Sequence, residues 1–159
     1  MNYQLYPAFN ASQEYVVFSS GLGGHDQFWQ PQIAAFQQAY NVLIYDHEGC
    51  HADNALLSET YSFQDLAEQI KNLLLQLNIH QFHFVGHAIG GFIGLELTQL
   101  LATSGLNMQS LTVINGWAAL DPHTLKSFQT RLALLEHAGV AAYIAAQALF
   151  LYPPSWISQ

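Results

Sequence analysis

Four short apolar runs, each rich in β-branched and aromatic residues, alternate along the chain with segments whose apolar positions recur at the helical period. The runs cover residues 15–20, 41–45, 82–85 and 111–114, and such continuous apolar runs predict strands buried on both faces of a parallel sheet. Helices are predicted over 28–38, over 63–77 with Phe63, Leu66, Ala67, Ile70, Leu73, Leu74 and Leu77 on one face, and over 91–102 with Phe92, Ile93, Leu97, Leu100 and Leu101. Ser62 followed by Asp65 predicts a capping box with aspartate in place of the usual glutamate, and Pro31 sits where a first helical turn tolerates it.

The resulting order of strand, helix, strand, helix, strand, helix, strand predicts right-handed βαβ units and a sheet covered on both faces. Ligands of such sheets bind at the carboxyl ends of the strands. The unusual residues collect at those ends: Ser19 to His25 after the first run, Asp46-His47-Glu48-Gly49 after the second, Gly86 to Gly91 after the third and Asn115-Gly116-Trp117 after the fourth. From Asp121 the pattern changes. Asp121-Pro122 is an N-cap and first-turn signal for a helix to about residue 137, Gly139 predicts a break, and an Ala-rich helix follows to residue 150. Pro153-Pro154 is expected to end helix formation, with no element after it.

Composition narrows the function. Eleven acidic residues against Lys71, Lys126 and Arg131 give a formal charge of -8, which leaves no basic stripe for nucleic acid or an anionic membrane. Cys50 is the single cysteine and residues 1–10 carry neither a basic nor an apolar leader segment, so a disulfide framework and secretion are not indicated and a cytoplasmic location is expected. Residues 82–102 are long, mostly apolar and carry Gly86, Gly90 and Gly94 at the spacing of a membrane packing motif. Glu96 argues against a span, because an acid at the centre of one costs about 2.5–3.5 kcal/mol, and Gly90-Gly91 would weaken a continuous helix.

The glycines around Ala88 admit three readings: a nucleophile elbow, a dinucleotide-binding turn, or a strand-to-helix turn of structural use only. The dinucleotide fingerprint fails on spacing, and the next strand ends in Asn115 rather than a ribose-binding acid. The elbow reading has the strand, the tight turn and the helix of G-x-S-x-G, but alanine stands where the serine belongs. A methyl group can neither attack a carbonyl nor be activated by a base. Gly21-Leu22-Gly23-Gly24 sits after an earlier strand, where an elbow's second oxyanion donor is expected, so the candidate donors are the amides of Leu22 and Ile89.

With these motifs in place, the chain resembles the α/β-hydrolase family. The likeness rests on Ser20-Gly21-Leu22-Gly23-Gly24, Tyr45-Asp46, Val85 to Gly90, Val113 to Trp117 and Gln147 to Pro153, and within the family it is to members of pyrimidine utilisation that also carry alanine at the elbow. The resemblance implies an α/β fold with a mostly parallel sheet, an N-terminal part of the hydrolase core over 1–120 and the start of a helical cap over 121–159. The last strands, the rest of the cap and a triad acid and histidine are expected beyond the region matched. It also implies hydrolysis of a C–N bond in carbamate or aminoacrylate during uracil catabolism, with water attacking beside Ala88, a small-molecule substrate, and neither cofactor nor metal.

His25, His87 and Trp117 are the candidate substrate-binding residues. His87 is also read as a packing residue, and Trp117 as one that packs beneath a cap. His47, His51 and His80 are expected in solvated loops, no histidine pair has metal-ligand spacing, and Asp46 is expected to cap the loop after its strand. Two other functions stay open: a binding module on a hydrolase scaffold without turnover, and an inactive shortened product whose strand at 111–114 presents an unpaired edge.

Overall fold

The computed structural model describes residues 1–50 and 57–158, so the expectation for His51 lies outside the described residues. These form two compact units, Met1–Gly116 and Trp117–Gln159.

The first unit is built on a five-stranded sheet with the order β1-β3-β2-β4-β5. The strands are β1 (Tyr3–Tyr6), β2 (Tyr15–Ser19), β3 (Asn41–Tyr45), β4 (Gln81–His87) and β5 (Asn107–Ile114). All neighbours pair in parallel except β1, which runs antiparallel to β3. β1 was not expected from the pattern, because Tyr-Gln-Leu-Tyr at a mostly exposed edge has no apolar run to mark it. β4 extends two residues past the predicted end and draws Gly86 and His87 into the sheet, and β5 starts four residues early because it pairs with β4 from Gln81 onward.

Alternation along the central strands divides the core into two layers. Val17, Leu43, Tyr45, Phe82 and Phe84 face α2 (Phe63–Gln76) and α3 (Ile89–Leu100), packing on Leu66, Ile70, Leu74, Ile93 and Leu97. Val16, Phe18, Val42 and Ile44 face the other way, onto Trp29 and Ile33 of the segment that ends in α1 (Gln30–Phe36). Both faces of β2 and β3 are thus dry, as their apolar runs required, whereas β4 keeps one face half-exposed at His83 and Val85 and β5 is largely exposed, against the expectation of burial on both faces. The helix predicted at 28–38 is split: a 3-10 turn at Asp26–Trp29 leads into α1, with Pro31 in its first turn. Before α2, the Ser62 hydroxyl accepts from the Asp65 amide while the Asp65 carboxylate accepts from the Ser62 amide, completing the capping box.

In the second unit, α4 (Pro122–Leu151) begins with Asp121 accepting from the Thr124 amide at 3.0 Å. By length and composition α4 alone among the described helices is apolar enough to cross a membrane. Gly139 nevertheless takes φ 81 and ψ 176 inside it, so neither half reaches the roughly 20 helical residues a span needs. Arg131 ties the two halves together, donating to Gln147 Oε1 at 2.8 Å and to the Tyr143 hydroxyl at 3.2 Å. A short α5 (Pro154–Ile157) corrects the expectation of no element after the prolines, since Pro154 occupies a first-turn position where its missing N–H is not needed.

Candidate active site

The turn between β4 and α3 is a single residue. Ala88 holds φ 50 and ψ -116, a conformation that costs a residue with a Cβ about 1–3 kcal/mol. Two hydrogen bonds fix it: its N–H donates to Ile114 O at 2.8 Å, and its carbonyl accepts from Gly91 N at 2.9 Å. The flanking glycines allow the close approach. A Cβ on Gly86 would lie 2.3 Å from Gly90 O, and one on Gly90 would lie 2.3 Å from Ser19 O. Helix α3 therefore starts pressed against the ends of β4 and β2. Ile89 is its first residue, where helix geometry leaves an amide without an intrahelical acceptor.

The loop after β2 closes over this turn. A Cβ at Gly21 would stand 3.5 Å from Ala88 Cβ and 3.0 Å from His87 Nδ1, so the glycine-rich loop and the elbow meet as the sequence pattern anticipated. Gly24 N–H donates to Gly21 O at 3.1 Å, which turns the loop and leaves the Leu22 side chain exposed. Ser20 stays buried, with its hydroxyl donating to His25 O at 3.1 Å. Beneath it the Tyr45 hydroxyl donates to Ser19 Oγ at 2.6 Å, wholly buried.

His87 stands beside Ala88 and against the Gly21 loop. Its Nε2 meets the side-chain amide of Asn115 at 3.1 Å, its ring lies 5.0 Å from that of Phe28, and its Nδ1 is buried with no hydrogen-bond partner among the described residues. Burial holds its pKa below the usual histidine value, so the ring is neutral at pH 7. Asn115 takes φ 54 just after β5, which asparagine tolerates better than most residues.

His25 sits lower in the same loop as the N-cap of the 3-10 turn, its Nδ1 accepting from Gln27 N at 3.3 Å. With Asp26 and Asp46 it forms a set of potential metal ligands whose donor atoms lie within 4.8 Å of one another, lining a cavity of about 550 Å3 together with Gln4 and Cys50. Sequence spacing could not show this set, because Asp46 arrives from a different strand. Each carboxylate also accepts a hydrogen bond: Asp46 from Asp26 N at 2.9 Å, and Asp26 from Gln4. Asp46 thus caps the loop after β2 rather than its own. His47 corrects the expectation of a solvated loop residue. It is 4% exposed and its Nε2–H donates to Ser20 O at 2.8 Å, and burial lowers its pKa. His80 is exposed as expected. Trp117, in the second unit, packs its ring 5.7 Å from that of Phe128.

After the elbow, the acids and histidines of the second unit have other duties. Asp121 caps α4, with its pKa lowered by the Thr124 amide, and Glu136 and His137 face each other at 3.9 Å in solvent. No catalytic triad is assigned.

A doubly covered parallel sheet with a strained one-residue elbow at its centre defines the α/β-hydrolase class, and the family model of that fold matches residues 15–134. The chain belongs to the α/β-hydrolase fold family. It is 61% identical to "Putative carbamate hydrolase RutD" of Acinetobacter baylyi over all of its own length and 60% of that protein's. It is 45% identical to the protein of the same name from Pantoea ananatis, covering 57% of it. The chain therefore spans about 60% of the length of these curated relatives. Among solved structures it superposes on a hydrolase from Pseudomonas aeruginosa with a TM-score of 0.77 at 26% identity, covering 99% of this chain and 57% of that one. The enol-lactonase from Burkholderia xenovorans gives a TM-score of 0.80 at 22% identity, covering 99% and 58%, and shows the fold alone.

Proposed function

We propose that this chain contributes the core and the start of the cap, residues 1–120 and 121–159, of a cytoplasmic hydrolase that breaks a C–N bond in carbamate or aminoacrylate during pyrimidine catabolism. The observation that carries the reading is Ala88 itself. A turn used only for chain reversal has no reason to keep an alanine at φ 50 and ψ -116, where glycine would be free of strain. Strain of this kind clusters at active sites, where the surrounding structure holds it in place. The relatives named as RutD supply the substrate class.

With a methyl group at the elbow, water is the attacking group. The amides of Leu22 and Ile89 polarise the substrate's carbonyl, or the imine tautomer of the enamine, and His25 and His87 bind the substrate. Water oxygen bonds to the electrophilic carbon, the C–N bond breaks, and a proton passes from the water to the departing nitrogen. Carbamate gives ammonia and hydrogencarbonate, which then dehydrates to carbon dioxide, and aminoacrylate gives ammonia and 3-oxopropanoate. Both compounds also decay unaided, so positioning and oxyanion stabilisation supply enough help. Leu22→Pro, which deletes one donor amide, is expected to lower the rate of ammonia release by 10-fold or more, given that one such donor is worth about 10²–10³. An unchanged rate removes Leu22 from the site, and a wild-type rate equal to that of buffer ends the reading.

The same methyl group favours a second reading, a module that binds small acids or amides without turnover. Calorimetry separates the two: heat of binding to ethyl carbamate with no ammonia released supports the module, and release supports the enzyme.

A further inference from the structure

Asn115 lies outside every motif of the elbow, yet its side chain ends on the residue next to Ala88. The ring of His87 has one end in solvent and one end in the protein. At the solvent end Asn115 Nδ2 approaches Nε2 at 3.1 Å, and a nitrogen that accepts a hydrogen bond carries no proton in the neutral ring. At the other end Nδ1 is buried without a partner among the described residues, packed on the Gly21 loop so closely that a Cβ at Gly21 would stand 3.0 Å from it and 3.5 Å from Ala88 Cβ. Buried polar groups left unpaired are uncommon and mark places where a further partner belongs. Phe28, with its ring 5.0 Å away, holds the imidazole plane.

We infer that Asn115 is a positioning residue: it fixes the neutral His87 ring with its proton on Nδ1 and so directs a buried N–H donor at the Gly21 loop, beside Ala88. The donor serves an oxygen, of water or substrate, that enters between that loop and the elbow. This rests on the proposed hydrolytic site for its use, but the proton's location does not depend on turnover. The backbone contributes to the arrangement. Ile114, immediately before Asn115, accepts the Ala88 amide at 2.8 Å, so the residue that sets the tautomer and the residue that holds the elbow are neighbours. A left-handed backbone at Asn115 (φ 54) aims the amide back at the ring and is also open to glycine and aspartate.

The test is long-range 1H–15N correlation on the full chain labelled at histidine, with His87 assigned through His87→Gln. The neutral ring is expected to show a protonated Nδ1 and a bare Nε2. Asn115→Asp replaces the donor by an acceptor and is expected to move the proton to Nε2. Asn115→Gly suits the same backbone and is expected to leave a mixture of the two tautomers. Nε2 protonated in the unsubstituted chain, or the same tautomer in all three proteins, overturns the assignment. Ammonia release from fresh carbamate is measured alongside. Loss of the Nδ1 proton without loss of rate overturns the donor's role. A buffer-level rate in every protein, with the tautomers as expected, overturns the hydrolase reading while leaving the positioning by Asn115 in place.

Discussion

Ala88 donates its amide proton to the carbonyl of Ile114 at 2.8 Å, which ties the strained elbow to the last residue of β5 rather than to its own helix. This bond uses the backbone alone, so a change of side chain at 88 tests the strain without breaking the tie. Ala88→Gly removes the Cβ that φ 50 disfavours and adds chain entropy to the unfolded state, about 1–3 kcal/mol against about 0.5–1 kcal/mol. A net gain of about 1 kcal/mol is expected in urea unfolding with an unchanged slope. A loss of stability of that size would show that the turn is not strained.

Gly90 is, with Gly86, one of the two tightest points of the elbow. An added Cβ would stand 2.3 Å from the Ser19 carbonyl oxygen, which belongs to backbone and cannot move aside. Gly90→Ala is expected to cost about 3 kcal/mol or to abolish folding, at the upper end of overpacking effects. Circular dichroism and urea unfolding check it, and a change below 1 kcal/mol contradicts the close approach of α3 to β2.

The Tyr45 hydroxyl and Ser19 Oγ form a buried pair at 2.6 Å. Tyr45→Phe leaves the serine oxygen without that donor, so a loss of about 1–3 kcal/mol is expected, in line with a buried polar group deprived of its partner. Burial raises the phenol's pKa far above its normal value, and the unsubstituted protein should therefore show no tyrosinate absorbance from Tyr45 until it unfolds in alkali.

His47 and His87 both have pKa values pushed below 6.5 by burial. The unfolded chain then binds more protons than the folded one in the window below 6.5. Their contribution to stability is full above 6.5 and is lost as pH falls through that window toward the folded values. Urea midpoints are expected to decline from pH 7 to pH 5, and His47→Gln should flatten the decline. A midpoint that rises on acidification contradicts the assignment.

Periodicity and turn chemistry made much of the scaffold legible. Ser62 and Asp65 announced their capping box, Gly139 its break, and the four apolar runs became β2 to β5. Local signals fail where tertiary contacts decide. His47 reads as a loop residue until the Ser20 carbonyl, from another strand end, meets its Nε2. Asp46 caps a loop 20 residues away. The candidate site divides in the same way: glycine spacing put Leu22, Ala88 and Ile89 just past the carboxyl ends of the neighbouring strands β2 and β4, whereas the contact of Asn115 with His87 spans 28 residues and leaves no mark in either segment.

Ammonia release from freshly generated carbamate, followed for the full chain and for substitutions at 88, tests most directly that water stands where an elbow normally holds its nucleophile. A rate above that of buffer is expected, retained in Ala88→Gly and lost in Ala88→Val, whose added methyl groups fill the water's place. A rate no different from buffer, or one untouched by Ala88→Val in a protein that still folds, would contradict it.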